Sequence, residues 1–239
     1  MKVVNDLIGY KGLKVVQNTE WFSFSLDSVL LPRFVTINKD VKKILDIGTG
    51  NAPIPLILST RTSAEIYGME IQKDIYELAK ETIRLNNLEN QVNLINDDAK
   101  NIDQYFKYGF FDIIVSNPPF FSIHEKTKQN DDIHKTIARH EVKLNIEDIV
   151  KIGSQYLKNN GVLAIVHRSD RLIEIVELFR KYKLEPKRIQ LIYPKKNTEA
   201  NILLIEGRKN GNKGLKILSP IIAHNENGGY SDEIMKYFS

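Results

Sequence analysis

Short apolar runs bounded by turn residues alternate along the chain with helix-length segments whose apolar positions recur every three or four residues. That alternation predicts βα repetition and a mainly parallel sheet with helices on both faces. Seven strands are predicted, at 43–47, 65–69, 91–95, 111–116, 162–167, 188–192 and 202–206. The helices fall at 53–59, 73–87, 146–158 and 170–182, with Gly161, after Asn159 and Asn160, as the C-terminal stop of the third. Only a loop at 193–200 separates the last two strands, so they are expected to form an antiparallel hairpin. Residues 1–38, with Trp21-Phe22-Ser23-Phe24 and a short helical pattern, read as a flank or lid on a core domain spanning 39–239. The chain shows no repeats or low-complexity tracts.

A length of 239 residues, 42% of them hydrophobic and 27% charged, suits one α/β domain and excludes disordered or fibrous classes. No apolar run approaches the roughly 18 residues of a membrane span, and the first residues lack a signal-peptide core, so a cytoplasmic protein is expected. The absence of cysteine excludes disulfides, cysteine-held zinc or iron–sulfur clusters, and any covalent cysteine adduct. Charge is uneven. Residues 1–150 hold 18 Lys and Arg against 21 Asp and Glu, whereas residues 151–239 hold 16 against 9. Arg180, Lys181, Lys183, Lys187, Arg188, Lys195 and Lys196 form the densest basic stretch, which suggests a polyanionic partner.

The turn after the first predicted strand of the core reads Asp46-Ile47-Gly48-Thr49-Gly50-Asn51-Ala52-Pro53. Gly48 and Gly50 allow a tight bend and close approach of a ligand to the backbone, with the next helix presenting its N-terminus. Glu70 ends the second of these strands and suits a pair of ribose hydroxyls; Asp97 and Asp98 follow the third, where an acid meets an adenine amino group. Three acids at successive strand ends converge on one crevice. Pro53 replaces the third glycine of a dinucleotide fingerprint, and no phosphate loop occurs. A cofactor with a sulfonium and an ammonium but no phosphate fits acids better, which points to S-adenosylmethionine.

The fourth of these strands runs into Asn117-Pro118-Pro119-Phe120. Two prolines remove two N–H donors and leave carbonyls and the Asn117 side chain as the polar groups. Such a turn suits an aromatic exocyclic amine, whose lone pair is delocalised into its ring. Acceptance of its two protons by the Asn117 side-chain oxygen and the Pro118 carbonyl frees that lone pair, while Phe120 stacks on an extruded base.

The segments at 46–51, 69–72 and 117–120 resemble the amino-methylating class I methyltransferases. Phe24-Ser25-Leu26-Asp27-Ser28-Val29-Leu30-Leu31, Ala138-Arg139-His140-Glu141 and Leu184-Glu185-Pro186-Lys187-Arg188 narrow the resemblance to the bacterial tRNA1(Val) adenine-N6 methyltransferase family, over nearly the whole chain. The resemblance implies a Rossmann-like class I fold, with a seven-stranded mainly parallel sheet ending in an antiparallel hairpin. It also implies S-adenosylmethionine as cofactor and the adenosine 3′ of a tRNA anticodon as methyl acceptor. Carried over by position, Asp46, Gly48, Gly50, Glu70 and Asp98 bind the cofactor, and Asn117, Pro118, Pro119 and Phe120 hold the adenine. Asp98 is preferred to Asp97 for its place before Ala99, and Ala52 departs from the glycine frequent in that family.

Protein-glutamine N5 methylation and ribosomal guanine N2 methylation pose the same lone-pair problem and stay open as alternatives, beside a non-catalytic RNA-binding module. His124, His134 and His140 lack metal-site spacing, so no metal is expected. Residues 122–140 read as a lysine-rich loop beside the site, Arg139 and His140 as nucleotide-orienting candidates, and the chain as a monomer without membrane contact.

Overall fold

The computed structural model describes residues 1–7, 10, 12–19, 26–118 and 144–237. Strands β3 (Lys43–Ile47), β4 (Glu65–Met69), β5 (Val92–Ile95), β6 (Phe111–Ser116), β7 (Leu157–Arg168), β8 (Leu184–Tyr193) and β9 (Ile202–Lys209) are the seven expected ones. They form one sheet in the order β8-β9-β7-β6-β3-β4-β5, in which only β9 runs against its neighbours. Two further short strands, β10 (Lys216–Ile217) and β11 (Ile221–Ile222), pair with β8 and extend the sheet to nine.

Period-two alternation divides the strand side chains between two apolar layers. Ile44, Ile66, Ile113, Val115, Ala164 and Val166 face one core with α1 (Asp27–Phe34), α2 (Pro53–Ser59) and α3 (Lys73–Leu85). Leu45, Ile114, Leu163 and Ile165 face the other with α4 (Ile146–Tyr156) and α5 (Leu172–Lys181). A sheet covered on both faces needs near-continuous apolar strands, and β3, β6 and β7 have them. The last helix, α6 (Asp232–Tyr237), touches β11 and α1.

Two local expectations need correction. α4 ends at Tyr156, and Leu157 turns at once into extended backbone, so Gly161 stops no helix. Asn160, at φ 61°, and Gly161 instead form an irregularity within β7, where the pairing with β6 jumps from Phe111 opposite Leu157 to Ile113 opposite Val162. A methyl group on Gly161 would lie 2.9 Å from the Lys158 carbonyl, so this bulge needs the glycine. The expected helix at 170–182 opens with a 3-10 turn at Ser169–Arg171 before α5.

Within residues 1–38, β1 (Lys2–Asp6) and β2 (Lys14–Asn18) form a separate antiparallel hairpin. The Val16 N–H donates to the Thr82 hydroxyl of α3, and Asn51 donates to the Val16 carbonyl. The segment Trp21 to Phe24 lies outside the described residues.

The end of α1 is fastened to the far end of the sequence. Glu206, 2% exposed on β9, accepts from the Thr36 backbone N–H at 2.9 Å and from its hydroxyl at 2.6 Å. Arg188 on β8 donates to the Phe34 carbonyl and the Thr36 hydroxyl, lies over the Phe34 ring, and sits 3.4 Å from Glu206. Its charge therefore serves this clasp. Removing one member leaves a buried charge or buried donors unpaired, so Glu206→Ala should destabilise the fold by about 3 kcal/mol, read as a lower midpoint in urea unfolding.

Candidate functional site

Strand pairing sets the site. Ile47 on β3 pairs with Met69 on β4 and Ser116 on β6, and Met69 pairs with Ile95 on β5. The residues that follow, Gly48, Glu70, Asn96 and Asn117, therefore leave the sheet at one level. The chain proceeds from β3 through β4 to β5 in one direction and then crosses to β6 on the other flank of β3. This reversal of strand order opens a crevice at the carboxyl ends of the strands, where ligands bind in open α/β sheets.

Gly48 and Gly50 have φ of 73° and 59°, a conformation that favours glycine. A methyl group built on either meets none of the described residues within 4 Å, so among them the turn borders open space. The N–H groups of Gly48 and Thr49 both donate to the Met69 carbonyl, which pins the turn to β4. Ala52 adopts φ 68° directly before α2 while fully buried. Alanine thus takes the left-handed conformation that glycine adopts more freely, at a cost of about 1 kcal/mol.

Two buried carboxylates flank the turn. Glu70 accepts from the Gly50 and Gln72 backbone N–H groups, one on each oxygen, at 3.0 and 2.9 Å. Burial pushes its carboxyl above the usual range, and these backbone donors pull the other way. Asp46 is fully buried, and neither of its oxygens has a hydrogen-bond partner among the described residues. Burial drives its carboxyl up to about 7; the nearby Thr49 hydroxyl opposes this without completing a hydrogen bond of ordinary geometry, and Glu70 adds repulsion. An unpaired buried carboxylate beside an open glycine turn fits a positively charged, phosphate-free ligand.

Past β5, the two candidate acids differ. Asp97 accepts from the Asp98 N–H, the Asn101 side chain and the Tyr105 hydroxyl, and these bonds hold its carboxyl below the usual range. Asp98 caps the 3-10 turn Ala99–Gln104 through the Lys100 N–H, using one oxygen. Asp97 is thus committed to shaping the loop through three hydrogen bonds, whereas Asp98 accepts one among the described residues.

On the other side of β3, the Ser116 hydroxyl donates to the Ile47 carbonyl and locks β6 against the glycine turn. Asn117 is partly exposed and Pro118 buried. The Asn117 side-chain N–H donates to the Ser28 hydroxyl of α1 at 3.1 Å. Sequence reasoning gave Ser28 no role of its own, since its partner lies 89 positions away. Pro119, Phe120, His124, His134, Arg139, His140 and the rest of the 122–140 loop lie outside the described residues.

His167, also unassigned from sequence, is buried at the end of β7 beside β6. Burial and then the Arg171 charge depress its imidazole to about 4. Among the described residues, no group of three or more His, Asp or Glu side chains is placed to hold a metal, and no helix is long and apolar enough to cross a membrane.

The methyltransferase small domain family matches residues 25–187. A tRNA1(Val) (adenine(37)-N6)-methyltransferase of Bacteroides fragilis is 30% identical over 215 residues, covering 88% of this chain and 86% of that one. One of the same name from Flavobacterium johnsoniae is 29% identical, covering 81% and 82%. A solved structure described as a predicted O-methyltransferase from Agrobacterium tumefaciens superposes with a TM-score of 0.70 at 18% identity, covering 89% of this chain and 95% of that one. The fold, the glycine turn flanked by acids and these likenesses agree, and the chain belongs to the methyltransferase small domain family, among the tRNA1(Val) adenine-N6 methyltransferases.

Proposed function

We propose that this protein transfers the methyl group of S-adenosylmethionine to N6 of an adenine in a tRNA anticodon loop, the adenosine 3′ of the anticodon. The observation that carries this reading is the placement of Asn117 level with Gly48 across the β3–β6 crevice, one strand from the unpaired Asp46. Asp46 would take the cofactor's cationic end, Glu70 its ribose hydroxyls and Asp98 its adenine, with Gly48 and Gly50 leaving space for close approach. When bound, S-adenosylmethionine would supply an electrophilic methyl carbon with its thioether as the leaving group, and the proton lost from the acceptor nitrogen would pass to water. Asn117 and the Pro118 carbonyl accept from the acceptor amine, and Pro119 and Phe120 complete that pocket. The division into a flank of residues 1–38 and a methyltransferase domain of residues 39–239, the monomeric state and the cytoplasmic location belong to the same proposal. The relatives' names favour adenine over guanine N2 or glutamine N5.

The sheet also divides the basic residues. β8 runs parallel to β7 and β6, so the exposed Lys195 and Lys196 in the turn after β8 stand at the edge that carries Asn117. Three strand spacings separate them, about 14 Å. Arg180, Lys181 and Lys183 lie at the opposite edge, Lys181 paired with Glu147 at 2.6 Å. Phosphate contacts therefore fall to Lys195 and Lys196.

With labelled S-adenosylmethionine and unmodified tRNA, the wild type should yield labelled N6-methyladenosine on nucleoside digestion, and Asn117→Ala should slow transfer on the order of 100-fold or more. Label in protein or in N2-methylguanosine instead would overturn the adenine assignment. Replacing Lys195 and Lys196 by Ala should weaken tRNA binding and lower the salt slope by roughly 0.7 per lost contact, while Arg180→Ala with Lys183→Ala leaves the slope unchanged.

Asp46 generates a prediction with two opposite signs. Its folded carboxyl titrates near 7 against 3.8 unperturbed, so the charge is costly above pH 7 and costs nothing below about pH 4. Asp46→Asn should therefore stabilise the ligand-free protein at pH 8 by up to about 4 kcal/mol and little at pH 4. Calorimetry at pH 8 should show the same variant losing most of its affinity for S-adenosylmethionine.

A further inference from the structure

We propose that Ser28 is a positioning residue that holds the Asn117 amide in place for the methyl acceptor. An asparagine amide has one end that donates and one that accepts, nearly equal in shape, and an exocyclic amine needs the accepting end. Asn117 sits in a turn followed by proline, so little in its own backbone fixes where its side chain points. Its side-chain N–H donates to the Ser28 hydroxyl at 3.1 Å, which turns its oxygen away from α1. Without that contact the amide is free to swing and to turn its N–H groups toward an amine that needs an acceptor.

Ser28 is itself held firmly. It is 6% exposed, lies in the first turn of α1, and is flanked by Val29, Leu30 and Leu31, each at most 1% exposed. The far end of α1 is fixed by Arg188 and Glu206 through Phe34 and Thr36. The hydroxyl thus approaches Asn117 from a rigid element outside the β3–β6 crevice, and among the described residues it receives that N–H.

This inference rests on the reading of Asn117 as the acceptor for the amine, and the test separates the two. Steady-state kinetics with tRNA and S-adenosylmethionine would compare wild type, Ser28→Ala, Ser28→Thr, Asn117→Ala and the double variant Ser28→Ala with Asn117→Ala, with cofactor affinity measured by calorimetry. Ser28→Ala should lower kcat about tenfold with cofactor affinity unchanged, and Ser28→Thr, which keeps a hydroxyl, should recover most of that loss. Once Asn117 is gone, Ser28→Ala should cost nothing further, so the double variant should match Asn117→Ala. Full kcat in Ser28→Ala, equal losses in the Ala and Thr variants, or multiplied losses in the double variant would each overturn the proposal. A fully active Asn117→Ala would instead remove the underlying reading.

Discussion

The pairing of β3 between β4 and β6 is the constraint on which the site depends. Asp46, Gly48, Glu70 and Asn117 come from three strands and converge only because Ile47, Met69 and Ser116 share a level in the sheet. A slip by one residue would turn every side chain of a strand to the other face. It would take Leu45 out of one apolar layer and put Ile44 in its place, and both layers are closed by helices. The same apolar packing that stabilises the sheet therefore aligns its polar strand ends.

That alignment brings unfavourable electrostatics with it. Asp46 and Glu70 are both buried at neighbouring strand ends, and their carboxyls are both pushed upward by loss of water. Glu70 is relieved by two backbone donors, but Asp46 is not. Natural folds keep such unsatisfied groups where a ligand repays their desolvation. The fold tolerates the pair because large aliphatic layers lie on either side.

Sequence legibility followed the range of the interactions involved. β3, β4 and β6 and the glycine turn after β3 were readable because alternation and glycine chemistry act over a few neighbouring residues. Asn159-Asn160-Gly161 was misread as a helix stop because a turn signal and a bulge signal use the same residues, and only the pairing with β6 distinguishes them. Arg188 counted as one more cation in a basic stretch; its partners Phe34, Thr36 and Glu206 come from two other parts of the chain. Ser28 was silent for the same reason. The hydrogen bonds of Asp97 to Asn101 and Tyr105 were equally silent, although both partners lie within eight residues.

The clasp between Thr36 and Glu206 spans 170 positions of sequence. A chain emerging from the ribosome exposes α1 early, yet the carboxylate that receives its last turn is among the final strands to appear. The glycine turn and its acids can take shape while synthesis continues, but the end of α1 has no partner for Thr36 until β9 has joined the sheet. Birth order thus separates the two halves of the crevice: the acid-lined half draws on residues up to Asp98, whereas the helix behind Asn117 is fastened only once Glu206 has been made.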